Sequence, residues 1–124
     1  MQHALLTDKI LESFFIVFNK LGYGFLEKVY ENAIAIELLK HNLEIKQQMP
    51  IKVFYDKQVV GEYFADIIIN DSIILELKAA EALRVEHVYQ LTNYLKSTQI
   101  EVGLLLNFGK KPEFKRVLFT NDKK

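Results

Sequence analysis

Two short stretches of this chain, Ile67-Ile68-Ile69 and Ile73-Ile74-Leu75, are apolar at every position. A strand that reads this way needs cover on both faces, which calls for helices on either side of a sheet. The flanking sequence supplies them. From Ala4 to Leu21 the residues Leu6, Ile10, Phe14, Val17 and Leu21 recur at spacings of three and four, one stripe of an amphipathic helix. Gly22-Tyr23-Gly24 breaks it. A second helix is predicted from about Phe25 to His41, with Leu26, Val29, Tyr30, Ala33 and Ile36 on its inner face and Asn42 as its stop.

The period then changes. Ile45 to Tyr55, Val59 to Ile69 and Ser72 to Ala79 are rich in β-branched and aromatic residues, parted by Asp56-Lys57-Gln58 and Asn70-Asp71. A third helix from about Leu83 to Ser97 carries Val88, Leu91 and Leu95. A buried strand from Glu101 to Asn107 and an edge strand from Phe114 to Phe119 complete the order. This predicts one α/β (α+β) domain over residues 1–124, a mixed sheet between helices. The crossover helix makes the third and fourth strands parallel.

Composition removes several chemistries. With no Cys there is no thiol nucleophile, iron–sulfur cluster or Cys-bound zinc. His3, His41 and His87 lie too far apart to read as a His-rich metal site, so any metal is expected to be a hard cation held by oxygen. The N-terminus has no basic stretch leading into an apolar run, and no apolar run approaches a membrane span. The expectation is a soluble, cytoplasmic protein. The 16 basic and 16 acidic residues cancel, which argues against a surface coated in basic residues. Yet the segment from Lys110 onward carries +4 and the rest −4. A solvated tail is the plainer reading; a basic edge beside an acidic pocket is the other.

The informative residues break the core pattern. Glu76 and Lys78 interrupt the third strand and, two apart, project from one face. A strand end emerging into solvent would explain them, but Asp66 stands in the preceding strand beside Phe64 and Ile67. Parity decides whether Asp66 joins them. A two-residue Asn70-Asp71 loop sets Asp66 opposite Leu75, facing away from Glu76. A three-residue loop, Asn70-Asp71-Ser72, or a bulge sets it opposite Glu76 on the same face. The latter is predicted. Glu27 is the third anomaly. On a wheel referenced to Leu26 it lies about 100° round, inside the arc of Tyr30, Ile34 and Leu38. An acid at a first helical turn gains about 0.3–1 kcal/mol from the helix dipole, which does not account for an apolar sector. Carboxylates converging in a low-dielectric site call for a cation, and an all-oxygen set suits Mg²⁺ or Mn²⁺. Such an ion activates water and shields a phosphate, while a nearby Lys steadies developing negative charge. Phosphodiester hydrolysis uses these residue types best.

With those residues the chain resembles the PD-(D/E)XK nuclease superfamily, whose signature is an acid, a gap and Glu/Asp-x-Lys, matched by Asp66 and Glu76-Leu77-Lys78. Gly24-Phe-Leu-Glu27-Lys-Val-Tyr30 is similar to the motif of the GxxExxY branch. His87-Val-Tyr-Gln90-Leu-Thr-Asn-Tyr94-Leu95 and Gly103-Leu-Leu-Leu-Asn107-Phe108-Gly109 resemble further blocks of that branch, over roughly Leu5 to Val117. The resemblance implies a restriction-endonuclease-like αβββαβ core with an extra N-terminal helix. It implies Asp66, Glu76 and the Leu77 carbonyl as metal ligands, with Glu27 binding directly or through water. It gives Lys78 the role of assisting the attacking water or the transition state. Gln90 matches a polar residue that borders the site, and His87, Gln90 and Tyr94 form one stripe that either touches substrate or packs on the sheet. Gly24 and Tyr30 are expected to serve structure. Phe64-Ala65-Asp66 lacks the proline of the name, and Phe64 stands where many relatives carry a basic residue.

The resulting expectation is a Mg²⁺- or Mn²⁺-dependent nuclease acting on DNA or RNA, with no membrane partner. The alternative is an inactive module of the same fold that binds nucleic acid or protein. A bare core offers little surface for sequence readout, and a homodimer would supply more. A third reading is an unrelated fold whose acids are surface pairs.

Overall fold

The computed structural model describes residues 2–124. Helix α1 (Ala4–Leu21) and helix α2 (Glu27–Leu39) precede β1 (Ile45–Tyr55), β2 (Gln58–Ile69) and β3 (Ile73–Lys78); α3 (Val85–Lys96), β4 (Val102–Phe108) and β5 (Pro112–Leu118) follow. A short 3-10 turn, Asn121–Lys123, ends the chain. The five strands form one sheet in the order β1-β2-β3-β4-β5. All neighbours are antiparallel except β3 and β4, which run parallel across α3. This is the mixed, doubly covered sheet expected from the all-apolar runs.

Two cores account for those runs. Ile10, Phe14 and Val17 of α1 and Tyr30, Ile34 and Leu38 of α2 pack on Ile67, Ile69, Ile73, Leu75, Leu104 and Leu106. On the opposite face Leu91, Tyr94 and Leu95 of α3 pack on Ile68, Ile74, Leu105 and Val117. Each residue of a triplet such as Ile73-Ile74-Leu75 therefore buries its side chain, on alternate sides.

Helix α2 starts two residues later than predicted. Gly24 takes φ 109°, and Leu26 is still extended. Tyr30 clasps this entry: its hydroxyl donates to the Gly22 carbonyl at 2.7 Å and accepts from Phe25 N–H at 3.2 Å. Its ring stacks on Phe108, 4.1 Å between centroids. The structural roles expected of Gly24 and Tyr30 fit this geometry.

The inner face of α2 differs from expectation. Tyr30, Glu31, Ile34, Ala35 and Leu38 are buried, whereas Leu26 is 80% exposed and Val29 and Ile36 are exposed. A wheel fixed on Leu26 thus points at solvent, because the helix docks through Tyr30 and Leu38. Glu27, also exposed, does not sit in an apolar sector. The charged C-terminal segment is no free tail either. Strand β5 pairs along β4, Asn121 N–H donates to Glu101, and Lys124 Nζ donates to the Thr98 and Ile100 carbonyls. Among the described residues no helix is long and apolar enough to cross a membrane.

Candidate active site

The β2–β3 hairpin brings the two sequence-predicted acids together. Ile69 pairs with Ile73, Ile68 with Ile74 and Ile67 with Leu75, so the loop is the three residues Asn70–Ser72. Asn70 and Asp71 adopt φ 52° and 50°, tolerable for these residue types, and Ser72 N–H closes the turn on the Ile69 carbonyl. One step beyond Ile67 and Leu75, Asp66 stands across from Glu76. There each carboxylate takes over a backbone partner. Asp66 N–H donates to Glu76 Oε2 at 2.8 Å, and Leu77 N–H donates to Asp66 Oδ2 at 2.8 Å. Among the described residues Glu76 Oε1 has no donor, and Asp66 Oδ1 meets only Gln48 Nε2, at 3.4 Å. Each acid is held by one oxygen and leaves the other available.

The strand is irregular at this point. The β1–β2 ladder runs from Gln47↔Ile67 to Met49↔Ala65 without a paired Gln48 and Asp66, and Gln48 has φ 54° in mid-strand. Ala65 and Ile68 face α3 while Ile67 and Ile69 face α1 and α2, so alternation slips at Asp66. A left-handed non-glycine residue costs on the order of 1–3 kcal/mol and persists only where surroundings enforce it. Here Gln48 Nε2 donates to Glu31 Oε1 at 2.8 Å, and Gln47 Nε2 to Glu31 Oε2 at 2.7 Å. Glu31, 4% exposed, also pairs with Lys28 at 3.1 Å. Sequence reasoning passed over Glu31, Gln47 and Gln48. Their signals were an acid between Tyr30 and Ile34 on the docking stripe and two adjacent amides in a β-branched segment.

Burial governs the electrostatics. Glu76 is 3% exposed, and desolvation together with the Asp66 charge pushes its carboxyl up to about 8. Asp66 is raised as well, by burial and by the charge of Glu31, against the Leu77 N–H. Two carboxylates pushed toward their protonated forms are short of positive charge. Lys78 is on the same face as Glu76, and its Nζ donates to Gln90 Oε1 at 3.0 Å; Gln90 Nε2 in turn donates to the Tyr94 hydroxyl at 3.1 Å. Tyr94 is pushed up to about 12 by burial and by the charges of Glu76 and Asp66. Gln90 thus links Lys78 to Tyr94, which feels the charges of both acids. His87 Nδ1 accepts Arg84 N–H at 3.0 Å, so part of its ring starts α3; burial and the Lys78 charge lower its pKa.

Glu27 stands apart from this pair. Its charge is near enough to help raise Glu76. Even so, among the described residues no group of three or more His, Cys, Asp or Glu side chains converges to hold a metal ion. Of the two or three carboxylates that the sequence places at the site, Asp66 and Glu76 are the pair interlocked across the hairpin. Asn107, fully buried, fastens the loop after Lys78: its Oδ1 accepts Ala80 N–H at 2.9 Å and its Nδ2 donates to the Ala80 carbonyl at 3.0 Å.

The family model of the PD-(D/E)XK nuclease superfamily matches residues 4–117. The chain belongs to that superfamily. Among solved structures, one described as "Crystal structure of SSO0001" is similar with a TM-score of 0.60 and 19% identity. The match covers 77% of this chain and 51% of that one, so the chain spans about half the relative's length. That likeness shows a shared fold, and with the family match the mixed sheet and its flanking helices are consistent with a restriction-endonuclease-like fold. No curated protein matches.

Proposed function

We propose that this protein is a divalent-metal-dependent nuclease that hydrolyses phosphodiester bonds of DNA or RNA. The observation that carries this reading is the interlock of Asp66 and Glu76, each anchored by one oxygen to the other strand, beside a Lys78 oriented by Gln90. The donor set fits a hard cation: two desolvated carboxylates with one oxygen apiece left over, in a chain without Cys. Asp66, Glu76 and the Leu77 carbonyl would hold Mg²⁺ or Mn²⁺, with Glu27 acting through water. When bound, the ion would lower the pKa of a water and shield the phosphate. Lys78 would steady negative charge gathering on the phosphate, and the Gln90–Tyr94 chain keeps its ammonium from swinging away. Gln90, Tyr94 and the free edge of His87 would border the substrate. The Gly24–Tyr30 motif supports assignment to the GxxExxY branch.

The test separates metal from chemistry. Calorimetric titration with Mn²⁺ should give binding that Asp66→Ala and Glu76→Ala abolish. Lys78→Ala should keep that binding while cleavage of single- and double-stranded DNA and RNA falls about 100- to 1,000-fold. Metal binding without any cleavage would favour the inactive module. No metal affinity at all would sink the enzyme.

A further inference from the structure

Beside the acids lies an open groove of about 690 Å³ between α3 and the β1–β2 hairpin, lined by Tyr63, Tyr89, Gln90, Asn93, Tyr94 and Ser97 among others. Its volume is within the roughly 300–1,000 Å³ of sites that take small organic groups. Three features say what it takes. It adjoins the Lys78 side of the acid pair, since Gln90, which lines it, accepts from Lys78 and donates to Tyr94, which lines it too. It offers aromatic faces: Tyr63 is 50% exposed and packs 5.5 Å from Tyr94, and Tyr89 is 63% exposed. And its charge is balanced, with Glu86 against Lys96, whose Nζ lies over the Phe119 ring.

A duplex is gripped chiefly through its phosphates by several Lys and Arg, whereas this groove supplies Lys96 alone, set against Glu86. An unpaired base, by contrast, stacks on tyrosines whatever its sequence, and Asn and Ser at the rim suit its polar edge. We propose that the groove holds an unpaired nucleobase of a single-stranded nucleic acid, stacked on Tyr63 and Tyr89, and so presents the adjoining phosphate to Asp66 and Glu76. This deepens the nuclease reading and rests on it for the phosphate's destination. The base-stacking part stands on the groove alone.

Fluorescence anisotropy without metal separates the two. The probes are a labelled thymidine oligonucleotide, the same strand with an abasic run, and a duplex of equal length. The intact single strand should bind tightest, and each lost stacking contact should weaken it about five- to 150-fold. Tyr63→Ala and Tyr89→Ala should bind the intact strand more weakly and the abasic strand as wild type does, and Tyr63→Trp should restore binding. Both side chains are half-exposed or more, and circular dichroism checks that the variants fold. Equal affinity for intact and abasic strands, tighter duplex binding, or no effect of the tyrosines would overturn the proposal. So would a Tyr63→Ala that turns a dimer into a monomer without changing oligonucleotide affinity, which would make the groove an interface between copies. A parallel Mn²⁺ cleavage assay keeps the readings apart. Cleavage without base-dependent binding sinks the groove alone; base-dependent binding without cleavage keeps the groove and sinks the delivery of phosphate.

Discussion

Glu76 is a carboxylate buried against a second carboxylate, and its proton equilibrium follows from that. Unfolded, it titrates near its usual 4.5; in the folded metal-free protein it is pushed up to about 8. The fold favours the protonated form. That contribution to stability is fully present below about pH 4.5 and is lost as pH rises toward about 8. Thermal melts in EDTA should therefore show the wild type losing ground across this window relative to Glu76→Gln. The amide keeps an acceptor for Asp66 N–H and carries no charge. Asp66, raised in the same direction, leaves some slope in the variant. Melting curves that stay parallel for the two proteins would count against an uncompensated Glu76.

The elements place these residues through close contacts. Helix α3 sits on β4 where Gly103 leaves room: a Cβ there would come within 2.8 Å of three carbons of Leu91, itself fully buried. Gly103→Ala must push Leu91 or the helix outward, at a cost of about 1–3 kcal/mol. Urea unfolding should give a lower midpoint with an unchanged slope. The double variant with Leu91→Ala should lose less than the two singles together. Strict additivity would deny the contact. Gln90 neighbours Leu91, so the same shift loosens its hold on Lys78. At this scale the sequence was informative: the strand register around Asp66 followed from loop parity, because a side chain's face depends only on counting residues from the turn. The docking face of α2 did not follow, since Leu26, Val29 and Ile36 are as apolar as Ile34, Ala35 and Leu38, which are buried instead. Hydropathy alone cannot choose between two adjoining faces of one helix.

Across the whole molecule, the interlocked acids tie β2 to β3 through side chain–backbone bonds where the ladder stops. A cation that binds only the native arrangement stabilises every element at once, by about 2.7 kcal/mol at a hundredfold excess over its dissociation constant. Differential scanning fluorimetry with Mg²⁺ or Mn²⁺ should show a rise in melting temperature that disappears in Asp66→Asn. A rise that survives this substitution would locate the ion elsewhere.

By itself the sequence determined the order of helices and strands, the double cover of the central sheet, the parallel β3–β4 pair and the meeting of Asp66 with Glu76. These depend on periodicity and on short-range counting, which the chain carries locally. Only the tertiary structure decided that Glu31 rather than Glu27 is the buried acid of α2. It alone set Gln48 in a left-handed turn between Glu31 and Asp66, and tied the charged C-terminal segment down at Lys124. Those outcomes depend on which faces of distant elements meet, and burial, not residue type, then decides which charges must find partners.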